Sequence, residues 1–200
     1  MTNAALPGKR ERTKQANRTA ILVAAREVFA ELGFGAASVR DIVRKTDLAT
    51  GTFYNYFPDK ESVLRAVVEE AAGEARVRVQ EARRNGRTLD AFVRDGFRAY
   101  FDYLIEDRLT SAMLSRNAGT IRAMFDEPSL VAGVEELAED LRAGVAAGLI
   151  PDHDVEYMAA SMVGAAFEVG ARMLDSDAPD PGRATEFVSA LFVAGLSSRA

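Results

Sequence analysis

Residues 37–64, ASVRDIVRKTDLATGTFYNYFPDKESVL, decide the fold of this chain. The apolar side chains of their first part recur at the spacing of one helical face: Val39, Ile42 and Val43. Phe53 and Phe57 continue the buried set on the next short element, and Pro58 ends it because the residue before a proline is pushed out of helical geometry. The stretch therefore predicts two short helices joined by a tight turn, followed by the start of a third.

Hydrogen-bonding groups crowd the second of these helices and its surroundings: Arg40, Thr50, Gly51, Thr52, Tyr54, Asn55 and Tyr56. Ser38 is the predicted N-cap of the first helix, with Asp41 in the capping-box position three residues on. A helix that shows Thr, Tyr and Asn outward over a buried face, with Lys60 beyond it, suits a groove of DNA. The stretch indicates a helix-turn-helix.

The segment before this motif predicts one amphipathic helix and a tail. Residues 15–32 place apolar side chains on a single stripe, and Gly33 is well placed to end that helix in a left-handed conformation. Residues 1–14 are small, polar and basic, which favours a disordered arm that is either solvated or in contact with DNA. Residues 15–58 then form a three-helix DNA-binding domain.

The remainder, residues 59–200, also has helical periodicity, and no stretch shows convincing strand alternation. One predicted helix, over residues 110–125, is interrupted or bent near Gly119. The fold class is all-α, with about nine helices, of which those after the N-terminal three-helix domain form a C-terminal helical domain.

Charge is distributed unevenly along the chain. Residues 1–60 carry ten Lys and Arg against six acids, a balance of +4, whereas residues 61–200 carry fifteen Arg, no Lys and twenty-four acids, a balance of −9. A basic head on an acidic body fits a phosphate-binding module joined to a domain with another task. Cysteine is absent, and there is no secretory signal or apolar run long enough to span a membrane, so a cytoplasmic protein is expected.

The motif resembles the TetR (tetracycline-repressor-like) family of bacterial transcriptional regulators over about residues 15–64. The resemblance rests on Phe29, Gly33 and Phe34, on SVRDIV from Ser38, and above all on TGTFYNYFPDKESVL from Thr50. It departs at Asp47, where the family usually has a glycine in the turn. The resemblance implies a homodimer that binds a palindromic double-stranded operator, releases it when a small molecule binds the C-terminal domain, and usually represses.

Carried over by position, the resemblance also implies roles for individual side chains. Ser38 and Arg40 lie at the start of the second helix, from which family members contact DNA, and an arginine fork matches the two acceptors of guanine. Recognition-helix positions that touch base edges or nearby phosphates are Thr50, Gly51, Thr52 and Asn55. Phosphate-contacting positions are Tyr54, Tyr56 and Lys60, of which Lys60 also lies near the N-terminus of the next helix, where anions are favoured.

The C-terminal domain has more large apolar side chains than a small core requires. Those that could line an apolar ligand pocket between helices are Phe97, Tyr100, Phe101, Leu104, Met113, Met124, Met158, Met162 and Phe167. The expected effector is an apolar or amphipathic small molecule, although a side chain of this kind, taken alone, more often belongs to an ordinary core.

Two predicted helices, over about residues 155–174 and 182–198, carry excess apolar surface, which implies burial against a second copy in a four-helix bundle. The candidate dimer residues are Met162, Ala166, Met173, Phe187, Leu191 and Phe192. Glu168 and Arg172 interrupt the first of these helices at the four-residue spacing of a local ion pair.

Two other classes of function remain open. An enzyme would need an acid–base or nucleophile constellation, and His153, between Asp152 and Asp154, is the single histidine, for which cap and loop duty is more usual than metal binding. We therefore expect neither catalysis nor a metal or cofactor. A small-molecule carrier that has lost DNA binding is disfavoured by the retained Gly51, Tyr54 and Lys60.

Overall fold

The computed structural model describes residues 8–124 and 128–197, and over these ranges the chain is all-α, as predicted. Its ten helices are α1 Lys9–Leu32, α2 Val39–Arg44, α3 Thr50–Tyr54, α4 Lys60–Asn85, α5 Leu89–Glu106, α6 Arg108–Arg116, α7 Ala118–Arg122, α8 Pro128–Ala146, α9 Val155–Leu174 and α10 Pro181–Ser197. The described part has one helix more than the expected number because the helix predicted over 110–125 is split. The split lies at Asn117, two residues before Gly119, which confirms the predicted interruption, and Phe125 lies outside the described residues.

Helix α1 begins at Lys9, six residues earlier than predicted. The prediction of a disordered arm is therefore wrong for residues 9–14, and residues 1–7 lie outside the described residues. Every residue from Gly8 to Ala16 is exposed, so the first two turns of α1 project from the body of the protein. Sequence periodicity could not find these turns, because a helix with no buried side carries no apolar stripe.

Local sequence fixes the turns of the head, the three-helix unit α1–α3. Gly33 ends α1 with φ +77°, which favours glycine, and the capping box of Ser38 and Asp41 begins α2. Asp47, where the family usually has glycine, lies in the turn after α2. Among the described residues positive φ occurs only at Gly33 and Gly148, so the turn does not require glycine at that position.

The core of the head extends beyond α1–α3. Phe29, Ile42 and Phe53 are each 0% exposed at its centre, and the first turns of α4 pack on them. Met113 of α6 and Ile121 of α7 belong to the same cluster. The head is thus built directly onto three helices of the C-terminal region.

The rest of the chain packs around a second core formed by α4, α5, α8, α9 and α10. Phe101 and Leu141 are 0% exposed within it. Among the helices of the described ranges, none combines the length and apolar character needed to cross a bilayer.

Candidate DNA-binding head and ligand cavity

Helix α3 presents polar groups outward from a buried aromatic anchor. Phe53 is 0% exposed and Phe57 6% exposed, which confirms the predicted inward-facing pair. Thr50, Gly51 and Asn55 are exposed, and Tyr54 is 53% exposed. A five-residue helix is too short to be stable alone, so its packing through Phe53 holds it in place.

The start of α2 lies beside α3 and is equally accessible. Ser38 Oγ accepts the Asp41 backbone N–H at 3.3 Å, and the Asp41 carboxylate accepts the Ser38 backbone N–H at 3.0 Å. The Ser38 side-chain and backbone hydrogen bonds hold the pKa of the Asp41 carboxyl below its ordinary value. Arg40 extends from the exposed side of this capped turn.

The remaining predicted positions around α3 have different surroundings. An added Cβ at Gly51 would meet nothing within 4 Å, so the helix surface there is open to a groove wall. Thr52 is half-buried. The Tyr56 ring packs partly against the head core, and its hydroxyl accepts a hydrogen bond from Asn17 Nδ2 at 3.2 Å. The projecting turns of α1 therefore start next to the end of α3.

Lys60 lies differently from the expected phosphate contact. Its ammonium donates to the Phe34 carbonyl at 2.8 Å and to the Ala37 carbonyl at 2.9 Å, and it lies 4.4 Å from the centre of the Phe34 ring. Two of its three donors are thus committed to the turn between α1 and α2. The structure assigns Lys60 to holding that turn.

Several other basic side chains of the head are held by carboxylates. Glu70 of α4 accepts from both Arg18, at 3.1 Å, and Arg26, at 2.8 Å, and so fastens α1 to α4. Lys45 pairs with two glutamates of α1, whose hydrogen bonds raise its pKa. The basic residues of the projecting turns, Lys9, Arg10, Arg12 and Lys14, are exposed.

The C-terminal region contains a partly open cavity of about 230 Å³, lined by residues of α4, α5, α6, α7, α8 and α9. Five of the nine predicted pocket residues line it: Phe97, Tyr100, Leu104, Met162 and Phe167. The sequence prediction missed the α4 and α8 walls, which contribute Val68, Ala71, Ala72, Ala75, Val79, Arg83, Val134 and Leu137. The one available signal was the group of small residues Ala71, Ala72 and Ala75, whose side chains leave the space empty.

The other four predicted pocket residues are placed elsewhere, and the prediction is wrong for them. Phe101 and Met113 are each 0% exposed inside the two cores. Met124 packs against the head core, and Met158 faces a separate depression next to His153. Phe101 and Met113 lie on helix faces that pack against neighbouring helices, a distinction that side-chain type does not carry.

Two polar side chains are conspicuous in the otherwise apolar wall. Arg83 is 8% exposed; its guanidinium lies 2.9 Å from the Asp140 carboxylate as an ion pair, and burial lowers its pKa. Burial also raises the pKa of the Tyr100 hydroxyl to about 12, so this group is a neutral hydrogen-bond donor and acceptor. The hydroxyls of Tyr103 and Ser115 are bonded to Glu74 and Asp175.

The apolar surface of α9 and α10 divides between the chain's own core and solvent. Met162 and Met173 are 5% and 7% exposed, Ala166 lines the cavity, and Phe192 stacks on Phe97 with ring centres 5.6 Å apart. The prediction of a dimer surface is contradicted for Met162 and Met173, because the chain itself covers them, whereas half-buried Ala166 and Phe192 stay predictions.

Three large side chains of these helices remain open to solvent. Phe187 and Leu191 of α10 are 65% and 60% exposed, and Tyr157 of α9, absent from the prediction, is 76% exposed. Glu168 pairs with Arg122 of α7, in place of the predicted local pair with Arg172.

His153 serves the loop before α9. Its Nδ1 lies 2.7 Å from the Pro151 carbonyl oxygen, and the neighbouring Asp154 caps α9 through the amides of Glu156 and Tyr157. Within residues 8–124 and 128–197, no three or more His, Asp or Glu side chains are grouped closely enough to hold a metal ion.

A capped helix, a tight turn and a short exposed helix on a buried aromatic anchor define the head as a helix-turn-helix of the DNA-binding class. Residues 21–67 match the family model described as "Bacterial regulatory proteins, tetR family". Over this segment, which contains α2 and α3, the chain is similar to the tetR family.

Named relatives agree with this assignment. The HTH-type transcriptional regulator UidR of Escherichia coli (strain K12) is 39% identical over 67 residues, which cover 34% of either chain. The match thus spans about a third of the length of this curated relative.

Similarity of fold extends over nearly the whole chain. The fatty acid degradation regulator FadR from Bacillus halodurans superimposes with a TM-score of 0.77 at 23% identity, covering 96% of this chain and 98% of that one. FadR from Bacillus subtilis, in complex with stearoyl-CoA, gives a TM-score of 0.75 at 24% identity, over 88% and 98%. Similarity at this level of identity describes the fold.

Proposed function

We propose that this protein is a ligand-responsive transcriptional regulator, a repressor, that binds a palindromic operator as a homodimer. The observation that carries the proposal is the exposed polar row of α3, held over buried Phe53 inside the segment that matches the family model. Such a short helix, with its base-reading chemistry outside and its anchor inside, fits the major groove of DNA.

We assign the contacts to two groups. Arg40, Thr52 and Asn55 read bases, since a guanidinium suits guanine, a Thr methyl suits the thymine methyl, and a side-chain amide suits adenine. Tyr54 and Tyr56 bind phosphates and set the register of the protein on the duplex. Ser38 and Thr50, at the N-terminal ends of α2 and α3, and the open surface of Gly51 complete the footprint.

Selection of bound sequences from random double-stranded DNA tests the proposal and yields the operator. We expect a palindrome with half-sites about one helical turn, about 34 Å, apart. The control is the double variant Thr52→Ala/Asn55→Ala, which keeps Phe53 and the fold but removes two base-reading groups. Enrichment of no motif by the wild-type protein would overturn the proposal.

Substitutions at Arg40 and Tyr54 separate the two kinds of contact. Arg40→Ala is expected to relax preference at one base pair by about 1–3 kcal/mol. Tyr54→Ala is expected to weaken binding of operator and scrambled DNA by similar factors. Titrations of the two DNAs with each variant check both, and a uniform loss with Arg40→Ala would remove it from the base-reading group.

The effector that we propose is a small apolar or amphipathic molecule in the cavity. At about 230 Å³ the cavity is below the usual range of about 300–1,000 Å³ for ligand sites, which favours a compact ligand or some widening on binding. Arg83 and Tyr100 are the polar groups that would orient it. FadR from Bacillus subtilis, which has the same fold, was solved with stearoyl-CoA, a molecule that joins an apolar chain to a polar group.

The homodimer is proposed to form through the open face of α9 and α10 that Tyr157, Phe187 and Leu191 share. Side chains of this size, 60–76% exposed on two adjacent helices, lose most of their contact with water against a two-fold copy. Sedimentation of Leu191→Glu should give a monomer with reduced operator affinity. Val77→Glu, at a 54% exposed position on α4, is the matched control and should remain dimeric.

Release of the operator is proposed to follow from a tilt of α4, which begins under the head and lines the cavity over much of its length. A tilt in both subunits would change the separation of the two recognition helices. Equal head spacing in ligand-bound and DNA-bound structures would contradict this step.

A further inference from the structure

A single buried amide joins the wall of the ligand cavity to the head. Asn117 lies at the junction of α6 and α7 and is 3% exposed. Ser115, two residues before Asn117, and Ala118, the residue after it, both line the cavity. A change in the cavity wall is therefore at most two residues from this side chain.

The Asn117 side chain hydrogen-bonds two places in the head. Its Nδ2 donates to the carbonyl of Phe29, in the last turn of α1, at 3.0 Å, and to that of Met113 at 2.7 Å. Its Oδ1 accepts the backbone N–H of Phe34, in the turn after α1, at 2.6 Å. An amide is the one side chain of this size that donates to two carbonyls and accepts from an N–H at once, so the residue type fits the task.

The same peptide segment is held from a second side. The Phe34 N–H is bound by Asn117, and the Phe34 carbonyl by the ammonium of Lys60 at the start of α4. Residues 33–37 lead directly into Ser38 and α2, so the position of this turn sets the position of the DNA-reading helices relative to α4. Both α4 and the α6–α7 junction border the cavity. A side chain from each of them, Lys60 and Asn117, hydrogen-bonds the backbone of the same head residue, Phe34.

We propose that Asn117 is the positioning residue that transmits occupancy of the cavity to the DNA-binding head, by moving the peptide group of Phe34. This inference rests on the proposed function and names the physical link within it. When the cavity wall at Ser115–Ala118 shifts, the buried amide has no water to replace its partners, so the turn moves with it. Asn117 itself touches no DNA.

The test uses a tethered occupant of the cavity in place of an unidentified ligand. Val134→Phe, on the α8 wall, adds a ring to the cavity from a helix whose main contacts are with α4 and α9. Val131→Phe, on an exposed position of the same helix, is the matched control for the added ring. Affinity for the selected operator is measured for wild type, Val134→Phe, Asn117→Ala and the double variant.

We expect the effects of Val134→Phe and Asn117→Ala on operator affinity to be non-additive. Val134→Phe should weaken operator binding by about 5–150-fold in the wild-type background, the usual span of coupling between two sites, and by less than about twofold when Asn117 is Ala. Ser115→Ala, which removes the bond from Ser115 to Asp175 but none to the head, should leave the effect of Val134→Phe in full. Equal weakening in both backgrounds, or no weakening in wild type, would overturn the proposal.

Amide hydrogen exchange gives a second readout that needs neither operator nor folded Asn117 variant. Val134→Phe should increase exchange in the peptide containing residues 33–37, whereas Val131→Phe should not. Unchanged exchange of these amides would overturn the inference even if Asn117→Ala fails to fold. Selection of no DNA sequence would instead count against the proposed function, so the two failures are distinct.

Discussion

Replacing Lys60 by methionine distinguishes the role assigned by the structure from a phosphate contact. Methionine keeps a long unbranched side chain but removes the ammonium, and with it the bonds to the Phe34 and Ala37 carbonyls and the contact with the Phe34 ring. The turn between α1 and α2 then loses its attachment to α4. Lys60→Met should therefore destabilise the protein.

The magnitude follows from what is removed. Hydrogen bonds to a charged group contribute about 1.5–3 kcal/mol each, and a cation over a partly exposed ring adds about 0.5–1 kcal/mol. The site is half-buried, so water recovers part of the loss at the freed carbonyls. We expect a net loss of about 2–3 kcal/mol, which lowers the melting temperature by about 4–12 °C for a chain of this size.

Urea unfolding followed by circular dichroism, together with operator titrations at several salt concentrations, makes the decision. Lys14→Met, at an exposed position of α1, is the charge-matched control and should change stability by less than about 0.5 kcal/mol. Loss of one phosphate contact would reduce the slope of log K against log salt by about 0.9, and we expect no such change for Lys60→Met. A reduced slope with unchanged stability would refute the reasoning.

Three further predictions concern local features. Gly86→Ala should destabilise the protein by about 1–3 kcal/mol, because the added Cβ would lie 2.7 Å from the backbone of the first turn of α5. Gly73→Ala, in open space on α4, should instead stabilise the protein by about 0.5–1 kcal/mol. Thermal unfolding measures both changes. Ser38→Ala should cost about 0.5–2 kcal/mol at neutral pH through loss of the α2 cap. Because the Ser38 hydrogen bonds lower the pKa of Asp41 in the folded state, the part of this stabilisation that comes from the Asp41 carboxylate is present above the ordinary carboxyl pKa of about 3.9 and is lost as the pH falls through the lowered value, so acid titration should narrow the difference between variant and wild type. The difference in tyrosinate absorbance between wild type and Tyr100→Phe should rise with a midpoint near pH 12, and a midpoint near 10 would contradict the burial of that hydroxyl.

The sequence predicted those features that depend on short-range patterns. The inward pair Phe53 and Phe57, the cap of α2 and the glycine that ends α1 each follow from a few neighbouring residues, and the structure confirms them. The direction of Lys60 could not be obtained in this way. Its acceptors are carbonyls 23 and 26 residues earlier in the chain, and their position depends on how the head packs on α4.

The cavity and the dimer surface also depend on packing that the sequence alone does not specify. Large apolar side chains indicate burial but do not identify the partner, so Met162 and Met173 were predicted for a second subunit although they pack within the chain. The α4 wall was missed because its alanines line the cavity with small side chains, whereas the prediction relied on large ones. Tyr157 was missed because a single aromatic at the start of a helix carries no periodic signal.

The five-residue helix α3 also has a consequence for the divergence of such proteins. Its folding depends on Phe53, while the side chains at Thr50 and Asn55 are exposed, where substitutions usually change stability by less than about 0.5 kcal/mol. A gene duplicate can therefore acquire a new DNA preference at these positions without first gaining stability elsewhere. In the proposed assignment of DNA contacts, buried Phe53 holds the helix while exposed Thr50 and Asn55 face the DNA. Proteins that descend from one ancestor can therefore come to control different genes while they keep one fold.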